Sequence, residues 1–344
     1  MTTSRYHITG IGNAIVDVLA RTGDDFLSRH DMRKGSMTLI DSIQAEAIYG
    51  AMPPGIEASG GSVANSCAVA AMLGAEVAFF GKTADDQLGA VFRHDMHALG
   101  IHYPTQPAAG RDATARCLIL ITPDGQRTMN TDLGAAVSFG IDDLDSGVIA
   151  ESAVLYLEGY LFDPPAAQAA FWSAAKIARS SGRQVAISLS DAFCVDRHRG
   201  NFQALVEQYA DIVIANEAEI CSLFEQNDFA SAAEIAKRFT RIAVLTRGAD
   251  GSVILADGKR YEIAAAPTNV VDTTGAGDAY AAGFLTAYTD GASLQDCGAL
   301  ASTTAALAIS SIGARPERAA LAALAPTRQG KGNAPVRLHP NRTV

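Results

Sequence analysis

The sequence has few of the features that mark secreted, zinc-stabilised or membrane proteins. It holds five cysteines in 344 residues, and no two have C-x-x-C spacing, which excludes a disulfide framework and a zinc ribbon. No uninterrupted apolar run approaches about 18 residues, so no segment is predicted to span a membrane. The short, polar start of the chain predicts no signal peptide. We therefore expect reduced thiols in a cytoplasmic protein.

Positive charge is also scarce in this chain. The 27 Lys and Arg residues are outnumbered by 37 Asp and Glu, which gives a formal net charge of −10. This balance argues against broad electrostatic binding to nucleic acid or to an anionic membrane. The expected partner is a small molecule, and the sequence leaves open whether the chain is a monomer or a homodimer. With 48% hydrophobic residues, the chain can bury a sizeable core.

Along most of the chain, short strand-like runs alternate with Ala-rich helical segments. Tyr6–Ile11 and Ile242–Thr246 are typical of buried strands, and Pro165–Ser180 is typical of a helix. A shorter helix is predicted at Phe202–Tyr209. This alternation predicts an α/β fold in which helices flank a mostly parallel central sheet.

Two stretches interrupt the alternation, at about residues 19–53 and 101–133. The second contains two strand-like runs joined by a Pro-Asp-Gly turn signal, which predicts a hairpin. We interpret both stretches as β segments of a small lid over a cleft. Residues 1–326 are then expected to form a single domain, and the polar, loop-rich residues 327–344 a disordered tail.

The sharpest local signal is the segment Val270–Ala279, which reads VVDTTGAGDA. It predicts an apolar strand ending near Val271, a Gly-rich turn and the first turn of an Ala-rich helix. Such a turn aims backbone N–H groups and the positive end of the helix dipole at one point, which suits a phosphate. Asp278, in the first helical turn, is placed to accept a proton from a hydroxyl beside that anion. The alternative is that Asp278 only stabilises the start of the helix.

Polar residues in the first part of the chain suggest a site for hydroxyl groups. Gly60 and Gly61 precede a helix whose first turn carries Asn65. Asn13 and Asp17 follow the first predicted strand. The glycines at positions 10 and 12 do not form a dinucleotide-binding fingerprint, because the third glycine, the following helix and the later acidic residue are missing. We therefore interpret Asn13 and Asp17 as ligands for substrate hydroxyls.

Two further turns follow predicted strands in the second half of the chain. Asn216 and Glu219 come after the strand at residues 212–215, and Glu219 is suited to holding water around Mg²⁺, which takes few protein carboxylates. The alternative is a plain acidic helix cap. The turn from Thr246 to Gly251 either joins a hairpin or also lies against a nucleotide. The histidines do not have metal-ligand spacing, and no Walker lysine follows a glycine-rich loop.

Three motifs occur in a fixed order along the chain: Gly60-Gly61-x-x-x-Asn65, Asn216-x-x-Glu219 and the run from Asp272 to Asp278. In this order they resemble the ribokinase-like (PfkB) family of carbohydrate and nucleoside kinases, over nearly the whole chain from about residue 6 to residue 316. The resemblance implies a three-layer ribokinase-like fold with a small β-sheet lid. It also implies phosphorylation of a substrate hydroxyl that depends on ATP and Mg²⁺.

The resemblance also assigns roles to the residues of the late motif and of the early glycine cluster. Asp278 would be the general base on the accepting hydroxyl. The backbone amides of Gly275, Ala276 and Gly277 would form the anion hole for the phosphoryl group, which matters because phosphoryl transfer depends mainly on positioning and charge stabilisation. The substrate hydroxyls would be held by Asp17, Gly61 and Asn65, with Gly60 beside them.

The remaining implied roles concern the nucleotide, the ions and the lid. Asn216 and Glu219 would organise Mg²⁺ and the phosphates. The ATP site would be lined by Thr246, Gly248, Gly251 and Ala305. Asp272 resembles the monovalent-cation loop of some members, which implies a role for K⁺. Arg127, in the lid-like hairpin, would reach a phosphate when the lid closes.

The early polar residues bear on the choice of substrate. Ribose kinases of this family place an asparagine two residues before the early aspartate, where this chain has Ile15, while Asn13 lies four residues before Asp17. This layout resembles that of the adenosine kinases in the family. Tyr160 and Phe193 lie in segments that resemble the purine side of those enzymes, and an apolar, aromatic wall suits a purine face.

The expected reaction is therefore phosphorylation of the 5′ hydroxyl of a ribonucleoside, adenosine to AMP. One alternative is a sugar kinase of the same family that acts on ribose, fructose or a related sugar. A less favoured alternative is a regulator that binds a ligand on a kinase scaffold without catalysis. The intact motifs around Asp278 and Glu219 argue against the regulator, because a retired site has no need of its base.

Overall fold

The computed structural model describes residues 4–110 and 112–324, so the predicted tail at 327–344 lies outside the described residues. Its strands are β1 Tyr6–Ile11, β2 Ile15–Arg21, β3 Met37–Leu39, β4 Ile56–Gly60, β5 Val77–Phe80, β6 Ala115–Ile121, β7 Arg127–Asp132, β8 Ser152–Glu158, β9 Gln184–Ser188, β10 Ile212–Asn216, β11 Ile242–Thr246, β12 Ser252–Ala256 and β13 Lys259–Ile263. Its helices are α1 Asp24–Arg29, α2 Ser42–Ala51, α3 Ser62–Met72, α4 Gln87–Ala98, α5 Ser146–Ala150, α6 Pro165–Ser180, α7 Ala192–Gln208, α8 Glu217–Leu223, α9 Phe229–Phe239, α10 Ala276–Thr289, α11 Leu294–Ala308 and α12 Arg318–Ala322.

The larger sheet has eight strands in the order β13-β12-β11-β10-β9-β8-β1-β5. The strands from β11 to β5 pair in parallel, and β12 and β13 add an antiparallel edge. Every residue of β8 is buried, which is typical of a parallel strand covered on both faces. Helices α5 to α9 pack on one face, and α3, α4, α10, α11 and α12 pack on the other. The predicted three-layer α/β fold is confirmed.

A second sheet has five strands in the order β3-β7-β6-β2-β4. One face is covered by helix α2, where Ala45 and Ile48 pack against Val18 and Leu118. The other face is apolar and turns toward the cleft between the sheets. The stretch at 19–53 contains two helices and only one short strand, because β2 begins before it and β4 follows it. The stretch at 101–133 supplies the hairpin of β6 and β7.

Several predicted elements differ from the structure. The strand predicted to end near Val271 is wrong, because residues 264–275 form no strand and Val270 and Val271 are exposed. The edge of the sheet is taken instead by β13, a polar strand in which only Ile263 is buried. Helix α7 begins ten residues before the predicted Phe202, since Asp191 caps it through the backbone N–H groups of residues 193 and 194.

All five cysteines are free thiols. In the part of the chain that the structure describes, no helix has the length and apolar character needed to cross a lipid bilayer. The cores on both faces of the large sheet hold most of the apolar side chains, which matches the hydrophobic content of the sequence.

Candidate active site

A cavity of about 1180 Å³ opens between the two sheets, at the carboxyl ends of the parallel strands. The strand order reverses at β1, which has β5 on one side and β8 on the other. In open α/β sheets, ligands bind in the crevice at such a switch point. Polar residues at the ends of the parallel strands, or just after them, line the cavity, namely Asn13, Glu158, Ser188, Asn216 and Thr246.

The turn before α10 forms one wall of this cavity. Gly275 has a φ of +73°, and a Cβ at this position would collide with the carbonyl oxygen of Ala314, so glycine is required there. Gly277 has free space around it, since no described atom beyond its neighbours lies within 4 Å of an added Cβ. Ala276 also lines the cavity. The N-terminus of α10 therefore presents backbone amides to the cavity, as an anion site requires.

Asp278 lies in the first turn of α10 and lines the cavity. Ser62 Oγ donates a hydrogen bond to its Oδ1 at 2.6 Å, and Asn65 Nδ2 approaches its Oδ2 at 3.4 Å. Ser66 Oγ donates to the backbone carbonyl of Asp278 at 3.0 Å, which ties α10 to α3. Burial raises the pKa of Asp278 to about 6, although the hydrogen bonds from Ser62 and Asn65 oppose the shift. A carboxylate with such a pKa is ionised at neutral pH and can accept a proton.

Asp17, on β2, faces the same end of the cavity. Gly60 must be small because its Cβ would lie 2.5 Å from Asp17 Oδ2. Gly61 has a φ of +98°, and a Cβ there would collide with the carbonyl oxygen of Asn13. Burial raises the pKa of Asp17 to about 6, with Asp278 adding to the rise and Arg315 opposing it. The early glycines thus bring carboxylate, amide and backbone groups together. We call this the acceptor end of the cavity.

Asn13 lies at the switch point and is held there by Glu158. Glu158 Oε1 accepts hydrogen bonds from Asn13 N at 3.1 Å and from Asn13 Nδ2 at 2.7 Å. Its Oε2 accepts from Val63 N at 2.8 Å. Burial raises the pKa of Glu158 to about 7, and these three donors oppose the shift. Glu158 was not predicted as a site residue, because its partners are 95 and 145 residues away in the sequence.

Arg127, on β7, connects the small sheet to the turn before α10. Its guanidinium forms an ion pair with Asp272 and donates to Thr274 Oγ1 at 2.8 Å. Asp272 also accepts from Thr274 N at 3.0 Å and from Gly313 N at 2.9 Å. Neither Arg127 nor Asp272 lines the cavity. The Asp272 carboxylate therefore has a positive partner already, and a K⁺ ion beside it would compete with Arg127.

Asn216 and Glu219 form the cap of α8. Asn216 Oδ1 accepts from Glu219 N at 2.9 Å, while Asn216 N and Nδ2 donate to the Glu219 carboxylate at 3.0 and 2.5 Å. Burial raises the pKa of Glu219 to about 7. Both carboxylate oxygens are engaged, and no group of three acidic, His or Cys side chains suited to a metal occurs among the described residues. This arrangement fits Mg²⁺ held through water and phosphate oxygens, the usual mode for this ion.

The other residues predicted for the nucleotide divide into two groups. Thr246 and Gly248 line the cavity near Asn216, and we call this part the donor end. Gly251 and Ala305 do not line it. Gly251 has a φ of +80°, and a Cβ there would collide with the Ile263 carbonyl oxygen, so it shapes the β11–β12 turn. Ala305 packs against the core beneath α11.

An apolar wall closes the acceptor end. Ile15 lies in it, together with Ile119 and Met129 of the small sheet. Tyr160 and Phe193 face the same cavity from the opposite side, and Phe193 is 75% exposed at its rim. The acceptor end therefore combines hydroxyl ligands with a broad apolar surface, which suits a flat ring joined to a sugar.

Comparisons with known proteins agree with this geometry. The model of the pfkB family carbohydrate kinases matches residues 56–320. The adenosine kinase of Sinorhizobium meliloti is 47% identical, with a TM-score of 0.87 over 94% of this chain and 99% of that one. A probable sugar kinase of Rhizobium etli CFN 42 is 46% identical, with a TM-score of 0.87 over 94% and 98% of the two chains. The adenosine kinase of Schizosaccharomyces pombe is 26% identical over 84% of this chain and 89% of its own length.

Proposed function

Because the chain belongs to the pfkB family of carbohydrate kinases, we propose that it transfers the γ-phosphoryl group of ATP to the 5′ hydroxyl of a ribonucleoside, converting adenosine to AMP. The observation that carries the proposal is the position of Asp278. Its carboxylate lies in one cavity with the amides at the start of α10 and with the apolar wall around Ile15. A base, an anion site and a surface for a flat ring are what this reaction needs.

The acceptor nucleoside is proposed to bind with its ribose toward Asp17, Gly61 and Asn65. Its base would lie against the apolar wall, between Ile15 and Tyr160. A free sugar presents hydroxyls on all sides and would leave this wall without a partner, whereas a purine covers it. The apolar wall thus favours a nucleoside, although the similarity to a probable sugar kinase keeps the sugar kinase as the second candidate.

In the proposed reaction, Asp278 accepts the proton of the 5′ hydroxyl. The hydroxyl oxygen forms a bond to the γ-phosphorus, and the bond from that phosphorus to the bridging oxygen of ADP breaks. The amides of Gly275, Ala276 and Gly277 stabilise the charge on the transferring group, and they do so without reorganising because Gly275 is locked by Ala314. Asp278 then releases its proton to solvent after the products leave.

The donor end is proposed to hold the nucleotide between Thr246 and Gly248. Asn216 and Glu219 would hold water around Mg²⁺, and the ion, when bound, neutralises charge on the phosphates. We further propose that Asp272 would hold K⁺ where that ion is bound, and that Arg127 would reach a phosphate as the lid closes. A cytoplasmic location and a monomeric or homodimeric state complete the proposal.

A substrate panel tests the proposal. Adenosine, guanosine, inosine, ribose and fructose are each incubated with ATP and Mg²⁺, ADP release is measured, and the product is identified by phosphorus NMR. We expect adenosine to have the largest kcat/KM and 5′-deoxyadenosine to be inert. A larger kcat/KM for a free sugar would establish the sugar kinase. Binding without turnover of any compound would favour the regulator. Repeating the adenosine assay in KCl and in choline chloride tests the role of K⁺.

A further inference from the structure

Arg315, which lies outside all three motifs, is placed directly behind the acceptor end. Its Nε donates a hydrogen bond to Asn65 Oδ1 at 2.8 Å, and its Nη1 donates to Ser59 Oγ at 3.0 Å. Its Nη2 is shielded from solvent and has no hydrogen-bond partner among the described residues. Asn65 and Ser59 are only 5% and 3% exposed, so both partners are fixed by the interior of the protein.

The contact with Arg315 decides how the Asn65 amide is oriented. An amide has an acceptor oxygen on one side and a donor nitrogen on the other. Because Arg315 occupies the oxygen, the nitrogen points at Asp278 Oδ2, 3.4 Å away. The reversed amide would place its oxygen against a carboxylate and its nitrogen against a guanidinium. Arg315 therefore fixes the donor that faces the proposed base.

Arg315 also supplies positive charge where acidic groups converge. Burial lowers the pKa of Arg315, and the charges of Asp17, Asp95 and Asp278 and the thiol of Cys67 oppose that shift. The charge of Asp278 adds to the rise in the pKa of five nearby groups, namely Asp17, Tyr156, Glu158, Tyr160 and Glu219. Arg315 opposes the rise in the pKa of Asp278, and both Arg315 and Arg127 oppose the rise in the pKa of Asp17.

We propose that Arg315 is a positioning residue for phosphoryl transfer, which keeps Asp278 and Asp17 ionised together and turns the Asn65 amide toward Asp278. This inference rests on the proposed function only in naming Asp278 as the base. Two carboxylates in one partly buried site repel each other, and a fixed guanidinium offsets that repulsion. Arg keeps its charge even when burial lowers its pKa, as it does here.

The direction of the effect follows from the charge. A cation favours the ionised carboxylate, so its removal raises the pKa of Asp278 and moves the loss of activity in acid to higher pH. Three variants separate charge from hydrogen bonding. Arg315→Lys keeps the charge, Arg315→Gln keeps a donor without the charge, and Arg315→Met keeps neither. Arg318→Met, an exposed arginine three residues further on, is the matched control.

The experiment measures the titration of Asp278 in the unliganded protein by carbon NMR of its side-chain carboxyl, together with the pH profile of kcat/KM for adenosine. The Asp278 resonance is assigned by its loss in Asp278→Asn. We expect the midpoint to rise by about one pH unit in the Gln and Met variants, and to stay within about 0.3 unit in the Lys variant and the control. The acid limb of kcat/KM should shift with it, which lowers kcat/KM about fivefold at pH 6.

An unchanged Asp278 midpoint in all three Arg315 variants would overturn the proposal, even if their melting temperatures fall, because a purely structural tie alters stability without altering the titration. If Arg315→Met fails to fold by circular dichroism, the comparison of Gln with Lys decides the question. The NMR titration needs no substrate. A wild-type protein that phosphorylates no nucleoside would therefore defeat the proposed function, while the role of Arg315 would still be judged by the titration.

Discussion

The two ends of the cavity are built in different ways. At the donor end, Asn216 and Glu219 are three residues apart and cap a single helix. At the acceptor end, Ser62 contacts Asp278 across 216 residues, and Arg315 contacts Ser59 across 256 residues. The donor end is therefore a local motif on a strand and a helix. The acceptor end exists only when α3, α10 and the small sheet are packed together.

From this difference we infer that the acceptor end determines both the choice of substrate and the rate of the reaction. A local cap offers backbone amides and water ligands to any nucleotide, and it changes little when the rest of the molecule changes. The acceptor end sets the position and the ionisation of its carboxylates through contacts between distant segments. We therefore expect substitutions at the acceptor end to alter turnover and the KM for the nucleoside, while the KM for ATP stays nearly constant.

The largest effect is expected for Asp278→Asn. Loss of the base should lower kcat by about 10²- to 10⁴-fold, with little change in nucleoside binding. Because the folded protein raises the pKa of Asp278 from 3.8 to about 6, native stability falls as the pH rises through that window. The neutral variant escapes this loss, so its melting temperature should exceed that of the wild type at pH 8 and match it near pH 4.

A matched control exists on the next helix. Asp296 has the same position in the first turn of α11 as Asp278 has in α10, but it is exposed and does not line the cavity. Asp296→Asn should leave kcat and the KM values unchanged when assayed by ADP release. Nucleoside binding is measured by calorimetry. Turnover by Asp278→Asn within tenfold of the wild type would remove Asp278 from the mechanism.

A smaller effect is expected for Gly275→Ala, which acts on the amides shared by both ends. The residue is left-handed, and the new methyl group would collide with Ala314, so the turn must move at a cost of about 1–3 kcal/mol. We expect kcat to fall about 10²-fold, as when an oxyanion donor is displaced, and the melting temperature to drop. Gly277→Ala meets no described atom and should leave the melting temperature unchanged. Equal melting temperatures for both variants would contradict this account.

Glu158→Gln is expected to raise the KM for adenosine about tenfold. Glutamine can accept only at one oxygen, so its amide nitrogen would face either Val63 N or the Asn13 donors. The displaced Asn13 should raise the KM for adenosine and leave the KM for ATP unchanged. Glu151→Gln, an exposed change at the turn before β8, serves as the control. A parallel rise in both KM values would show that the two ends are not independent.

The sequence predicts those helices and strands whose buried residues recur in a regular apolar pattern. The limits of β1 and α6 were predicted correctly because buried strands and Ala-rich helices have strong patterns. Strand β13 was missed because an edge strand exposed to solvent carries little apolar signal. Val270 and Val271 led to the opposite error, the prediction of a strand where the structure has none. Such β-branched residues also occur in exposed connections.

The residues of the candidate site also fall into two groups, those that the sequence predicts and those that it does not. The motif residues Asn216, Glu219 and Asp278 could be named from the sequence, because their short spacing on a helix start is itself the signal. The partners Glu158 and Arg315 could not, since their roles depend on contacts that the folded chain creates. In the sequence, a buried arginine or glutamate cannot be distinguished from one on the surface. Only the folded structure shows that Glu158 and Arg315 contact residues of the site.

The smallest effect, the response to acid, separates the two carboxylates of the acceptor end. Asp278 and Asp17 both have a pKa raised to about 6 by burial. Asp278 can accept a proton only when it is ionised, and Asp17 binds a substrate hydroxyl more strongly in its ionised form. Activity is therefore lost as the pH falls through 6, with kcat/KM for adenosine about fourfold below its plateau there if the two groups titrate separately. In more acidic buffer, log kcat/KM should approach a slope of two against pH. Asp17→Asn should reduce that slope to one, since a single titrating carboxylate is left. A slope of one in the wild type would mean that Asp17 acts only as a neutral ligand. Arg315 would then favour the ionised form of Asp278 alone.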